Sequence, residues 1–364
     1  MIGIHKNKLD TPCLVIDKYK LINNIKRMQT FANKHQKAVR PHAKTHKCSE
    51  IAKLQLANGA IGICVTKVTE ALALAKDGID HLLITSPIVT EQKLKILKEV
   101  LLLAPNSLIV CDNEYNLNKL NTLASQLPCK NINVIIDIDA GIGRTGVNFD
   151  QANTLAIKAH QLAFITLKGI QCYAGHFQHI KEHAQRQENS KQLLEKAGKL
   201  KNKIQQDTGL KNLIQTGSGT GTYEIDCLID SVTEIQPGSY TVMDKEYYDI
   251  EYRDDYFLNA MTLLTSVISA NCHSHVTVDA GLKAIYKDPT APQIISHSNL
   301  HYDWDYFGDE HGKITGQSLP KLGDVIEMIV PHCDPTINLY DNLFVTENDI
   351  VTKIWKINLR GKCQ

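Results

Sequence analysis

The chain has 364 residues, 43% of them hydrophobic, with 40 lysines and arginines against 39 aspartates and glutamates. That length exceeds one minimal core and predicts one large domain plus a smaller one. The near-balanced charge, a formal net of +1 with no segment gathering lysine or arginine, excludes a nucleic-acid or lipid surface and points to a small-molecule partner.

The N-terminal "MIGIHKNKLDTP" carries charges where a secretory signal needs an apolar run, and no stretch reaches the roughly 18 apolar residues of a spanning helix. Ten cysteines are scattered without a CxxC pair or other zinc-like spacing, the pattern of reduced thiols. The expectation is a cytoplasmic protein with no membrane and no nucleic-acid partner.

In chain order, "TPCLVID" (11–17) reads as a strand before the first long helix. From residue 38 short β-branched runs alternate with segments of helical period, the mark of parallel βα units. The strands are "KAVRPH" (37–42), "IGICVT" (61–66), "HLLITS" (81–86), "SLIVCD" (107–112), "NVIIDID" (133–139), "FITLKGIQCY" (164–173), "NLIQTG" (212–217) and "SVTEIQPG" (231–238). Eight such units predict a (β/α)8 TIM barrel, with an open doubly wound sheet as the alternative. After residue 250 the rhythm changes: "LTSVISA", "HVTVDAG", "DVIEMIV", "DNLFVTE" and "IVTKIWKINL" are strands without long amphipathic helices between them. The expected division is a barrel over 18–250 and an antiparallel β domain made of 1–17 with 251–364.

Barrel active sites lie at the C-terminal ends of the strands. After the first strand comes "RPHAKTHK", with Lys44 just past the strand and Lys47 a turn further on as a surface residue at a helix start. Alone this reads as a solvated basic loop, but a buried strand-end lysine has a lowered pKa and becomes nucleophilic. His42 and His46 flank it. After the seventh and eighth strands come "TGSGTGT" (216–222) and "PGSY" (237–240), small residues whose backbone N–H groups can cradle a phosphate. After the fifth, "DIDAGIGRTGV" carries Arg144, either a surface residue or one that reaches the barrel mouth. After the sixth, "CYAGHFQH" offers Tyr173, His176 and His179. Far downstream, "PHCDPTINLYD" sets His332 and Asp334 on alternate positions of a segment read as extended, where both would face one cation.

Together these motifs, with "VDAGLKA" (278–284) and "DEHGKI" (309–314), resemble the D-threonine aldolase and D-serine dehydratase family, alanine-racemase-like enzymes that use pyridoxal 5'-phosphate. The resemblance implies Lys44 as the Schiff-base residue, Arg144 facing the pyridine nitrogen and Tyr173 near the cofactor. Gly217, Ser218, Gly219, Thr220, Gly238, Ser239 and Tyr240 would surround its phosphate, and His332 and Asp334 would hold a divalent metal, Mn²⁺, Mg²⁺ or Zn²⁺. His-x-Asp resembles the aldolases and His-x-Cys the dehydratases. The expected activity is therefore a metal-dependent retro-aldol cleavage of D-3-hydroxy-α-amino acids such as D-threonine and D-allo-threonine, with His179 as a candidate base. A D-serine or 3-hydroxy-D-aspartate dehydratase is the alternative on the same scaffold. Alanine-racemase-like enzymes pair head to tail, so a homodimer is expected.

Overall fold

The computed structural model describes residues 1–252, 257–304 and 307–364. Cys13–Asp17 (β1) precedes the long helix Lys18–Lys34. Eight strands then follow: Ala38–Val39 (β2), Ile63–Val65 (β3), Leu82–Ile84 (β4), Leu108–Cys111 (β5), Ile132–Ile138 (β6), Ile165–Cys172 (β7), Ile214–Gly217 (β8) and Glu234–Ile235 (β9). All pair in parallel, in the order β2-β9-β8-β7-β6-β5-β4-β3. A parallel bridge between His42 and Cys64 closes the ring, so the expected (β/α)8 barrel is formed. The first and eighth strands are shorter than read from the sequence. Their pairing nevertheless continues as Arg40 N–H to Ile235 and His42 N–H to Pro237.

Strand residues alternate between two cores, as period-2 geometry requires. Cys64, Leu83, Leu108, Val110 and Ile135 fill the barrel interior, while Ile63, Val65, Leu82, Ile84, Ile109 and Ile136 pack outward against the helices. At the junction of β2 and β9, buried Arg40 and Glu234 pair through two hydrogen bonds of 3.1 and 3.2 Å. Removing one partner would leave an uncompensated buried charge, a loss of about 3–5 kcal/mol.

Met261–Ser269 (β10), Val276–Val278 (β11), Gln293–Ile294 (β12), Leu300–Asp303 (β13), Gly312–Gly316 (β14), Val325–Ile329 (β15), Asn342–Glu347 (β16) and Ile350–Lys356 (β17) build a second sheet with β1. Every described pair in it is antiparallel except one: β1 lies antiparallel to β10 and parallel to β16. No hairpin links the two ends of the chain, so nothing local fixes the direction of that pair. The core of this sheet includes Leu21, Ile25, Cys48 and Ile51, from the barrel's helices Lys18–Lys34 and Ser49–Ala57 and the N-cap of the latter. This shared core seats the second sheet against the loop that carries Lys44. Among the described residues no helix is long and apolar enough to cross a membrane.

Candidate active site

Lys44 lies in the turn after β2, and that turn is held by its own histidines. The backbone N–H of Lys44 donates to His42 Nδ1 at 3.3 Å, and that of Cys48 donates to His46 Nδ1 at 3.2 Å. Both rings thus accept at Nδ1, which leaves Nε2–H to bond Thr85 Oγ1 from His42 and Gln55 Oε1 from His46. Burial lowers both imidazoles, His42 well below its ordinary value and His46 to about 4, so both are neutral. Lys47 is not the surface residue expected. It adopts φ 48° and pairs at 2.6 Å with buried Glu70, whose other oxygen caps the helix Val68–Lys76.

A cavity of about 670 Å³ opens at this end of the barrel, lined by Lys44, Arg144, Tyr173, Gly219, Thr220, Gly238 and Ser239 among others. The Tyr173 ring lies near both cations, with Lys44 Nζ 6.0 Å and Arg144 Cζ 5.7 Å from its centroid. Contrary to the sequence expectation, the Lys44 amine is raised above its ordinary value. Tyr173 favours the ammonium electrostatically, burial opposes it, and Asp334 adds to the stabilisation from 3.8 Å.

The two glycine loops close tightly around one end of the cavity. A Cβ on Gly238 would lie 2.5 Å from Thr45 Oγ1, and one on Gly219 would lie 2.5 Å from Gln178 Oε1, so any side chain there would displace Thr45 or Gln178. Gln178 also receives the Gly221 N–H and donates to Thr222, a clamp that the sequence gave no reason to single out. Gly217, Ser218 and Tyr240 do not line the cavity. Ser218 turns inward at φ 72°, while Tyr240 gives its N–H to Thr220 Oγ1 and its hydroxyl accepts from Gln55. The cavity floor was likewise unread: Gln236 donates to Gln171, and Gln171 donates to Asp137 at 2.8 Å. Burial pushes the Asp137 carboxyl up to about 6.

The rim beside Lys44 carries His332 and Asp334, and here the expected extended segment is not found. Cys333–Ile337 is a short helix with His332 as its extended N-cap; Pro335 suits its first turn, where no N–H partner is lost. Asp334 accepts from Ser239 Oγ at 3.2 Å. Burial opposes its ionisation, yet Lys44 and His332 hold it below the usual carboxyl range. His332 Nδ1 lies 3.0 Å from Asp244 Oδ2 and 3.2 Å from Glu246 Oε2. Against its burial, these carboxylates and Asp334 push the imidazole up to about 9. His179 follows the short 3-10 turn Gly175–Phe177 and sets its Nδ1 2.9 Å from Glu246 Oε1.

Asp244, His332 and Cys333 bring ligand-type atoms within 4.8 Å of one another, a possible metal site. Chemistry separates their roles. Asp244 already accepts from the N–H groups of Tyr247 and Cys333, and burial holds the Cys333 thiol protonated. A cation would displace the thiol proton and could share the remaining Asp244 lone pairs, and His332 keeps Nε2 without a hydrogen bond among the described residues, next to the ionised Asp334. A carboxylate on the far nitrogen of a ligating histidine is the usual support of a metal site. The donors present thus fit a divalent cation, and the glycine cradle, lysine and arginine fit a phosphorylated aldehyde cofactor.

Comparison with known proteins agrees with this geometry. Residues 16–246 match the family model "Alanine racemase, N-terminal domain", and residues 260–346 match "Putative serine dehydratase domain". The sequence is 37% identical to a D-threonine aldolase of Arthrobacter sp over 97% of this chain and 93% of that one. It is 31% identical to a 3-hydroxy-D-aspartate aldolase of Paracoccus denitrificans, covering 99% and 94%. The crystal structure of D-threonine aldolase from Filomicrobium marinum superposes with a TM-score of 0.92 at 30% identity, over 100% of this chain and 99% of that one. The fold and site define an alanine-racemase-like lyase. The chain belongs to the D-threonine aldolase and D-serine dehydratase family.

Proposed function

We propose that this protein is a D-threonine aldolase, dependent on pyridoxal 5'-phosphate and a divalent metal, that cleaves D-threonine, D-allo-threonine and related D-3-hydroxy-α-amino acids to glycine and an aldehyde. The observation that carries this reading is Asp334, an ionised carboxylate 3.8 Å from Lys44 Nζ on a segment that also holds His332. A carboxylate–imidazole pair beside the cavity lysine that follows the first barrel strand suits chemistry at the carbon next to the amino group. When bound, the cofactor supplies an electron sink for the Cα bonds, and a Mn²⁺, Mg²⁺ or Zn²⁺ ion supplies a Lewis acid for the β-hydroxyl.

The residues of the chain divide the remaining work. Lys44 provides the amine that binds the cofactor covalently. The phosphate falls to the backbone of Gly219 and Gly238 and the hydroxyls of Thr220 and Ser239. Arg144 would face the pyridine nitrogen, where a permanent guanidinium opposes its protonation. Tyr173 packs near both Lys44 and Arg144 and would lie beside the cofactor. His332 and Asp334 hold the metal, and His179 takes the β-hydroxyl proton at Nε2 as the Cα–Cβ bond breaks.

Incubation with D-threonine, pyridoxal phosphate and Mn²⁺ tests this reading. Glycine and acetaldehyde in equal amounts are expected. The appearance of 2-oxobutanoate and ammonia would overturn it in favour of dehydration of D-serine or 3-hydroxy-D-aspartate. The reading extends to a cytoplasmic homodimer, with the barrel taken as 18–250 and the β domain as 1–17 with 251–364; sedimentation of the purified protein tests the dimer.

A further inference from the structure

One carboxylate at the rim touches both histidines of the site. Glu246 directs Oε1 to His179 Nδ1 at 2.9 Å and Oε2 to His332 Nδ1 at 3.2 Å. Its backbone is fixed: Asp244 caps the short helix Lys245–Tyr248, and the N–H groups of Lys245 and Glu246 donate to Val330 and Pro331. Glu246 therefore joins the loop after β9 to the segment that carries His332. The side chains of Glu246 and His332 are 27% and 22% exposed and that of His179 is 43% exposed, so water competes more for the His179 bond than for the His332 bond. Tyr247 packs beside both rings, 5.3 Å from His179 and 6.5 Å from His332 between centroids.

We propose that Glu246 is a positioning residue that fixes His179, and secondarily His332, with Nδ1–H on its carboxylate and Nε2 presented to the reacting groups. This rests on the aldolase reading above. The two histidines do not depend on Glu246 equally. His332 Nδ1 has a second acceptor in buried Asp244 at 3.0 Å, whereas Glu246 is the acceptor that His179 Nδ1 finds among the described residues. A carboxylate accepts from two N–H groups at once, whereas an amide accepts at one end and donates at the other. In Glu246→Gln the amide nitrogen facing a histidine would require that Nδ1 to accept, which moves its proton to Nε2. His332 resists through Asp244, so His179 changes and loses the basic Nε2 it needs.

The test uses the full chain loaded with pyridoxal phosphate and Mn²⁺. Glu246→Gln should lower kcat on D-threonine by about 10- to 100-fold, less than the roughly 10²–10⁴-fold that a general base itself contributes, because the base is mis-set and not removed. Its KM and its dissociation constant for Mn²⁺, measured by calorimetry, should stay within about threefold. In a His179→Ala background the same change should cost nothing further, and Glu246→Asp, which keeps two acceptor oxygens, should restore most of the loss. The histidine ¹⁵N spectrum, recorded with diamagnetic Mg²⁺ in place of Mn²⁺ and assigned with His179→Ala, gives a readout independent of turnover: His179 should shift from the Nδ1–H to the Nε2–H tautomer in Glu246→Gln. A wild-type kcat in Glu246→Gln, a loss additive with that of His179→Ala, or an unchanged tautomer would overturn the proposal. So would a Mn²⁺ affinity reduced 100-fold, which would make Glu246 a ligand. If wild-type protein yields no glycine, the aldolase reading fails separately while the spectrum still reports on Glu246.

Discussion

Leu359 lies five residues from the C-terminus, yet it is fully buried within the barrel core rather than that of the β domain. Its N–H donates to the Lys47 carbonyl at 3.0 Å, and neighbouring Asn358 accepts from Ser49 N–H at 3.0 Å. The chain end thus straps down the loop that carries Lys44. Leu359→Ala removes three carbon atoms from a fully buried position, about 2 kcal/mol at ~0.8 kcal/mol per carbon. The cavity left behind adds about 1–2 kcal/mol because the surroundings collapse only partly. Urea unfolding should therefore show a loss of about 3–4 kcal/mol for Leu359→Ala and under about 1.5 for volume-conserving Leu359→Met. A slackened loop should also release pyridoxal phosphate faster on dialysis, followed by its visible absorbance. A loss below about 1 kcal/mol, with cofactor retention unchanged, would refute the strap.

Further outcomes follow from the same geometry. Lys44→Ala should abolish the visible absorbance of covalently held cofactor while the protein still binds pyridoxal phosphate weakly, as absorbance after gel filtration will show. Asp334→Ala should eliminate metal-stimulated cleavage and weaken Mn²⁺ binding by at least about 10-fold, measured by calorimetry. Acid stability should fall because of His46. Its folded pKa of about 4 lies below its ordinary 6.5, so the unfolded chain binds the extra proton between those values. Its contribution is complete above pH 6.5 and is lost as pH falls toward 4, a total of about 3 kcal/mol at ~1.4 per unit. His46→Gln should flatten the unfolding curve in that window, and an unchanged slope would contradict the buried neutral ring. Gly238→Ala should weaken phosphate-dependent cofactor retention, because its Cβ would meet Thr45 Oγ1 at 2.5 Å.

Much of this protein was legible from neighbouring residues alone. The alternation of β-branched runs with 3.6-residue periodicity marked all eight barrel strands. The lysine, arginine and glycine loops that line the cavity sit at the strand ends, where the barrel rule places them. Such signals are local, because backbone hydrogen bonding and side-chain period act over a few residues.

Residues whose role depends on a distant partner were not legible. Nothing near Lys47 announced buried Glu70, and nothing in "MDKEYYD" announced that Asp244 and Glu246 would bracket His332. The alternation read into His332 and Asp334 failed locally, since the segment forms a helix instead, yet both residues lie at the rim beside Lys44. The sequence by itself determined the barrel, the order of its strands and the placing of Lys44 just past the first of them. Only the tertiary structure brought Asp334 to 3.8 Å from Lys44 and set one carboxylate against two histidines. The physical reason is the shared core of Leu21, Ile25, Cys48 and Ile51 with the second sheet: side-chain packing between the two ends of the chain, not the spacing along it, fixes those distances.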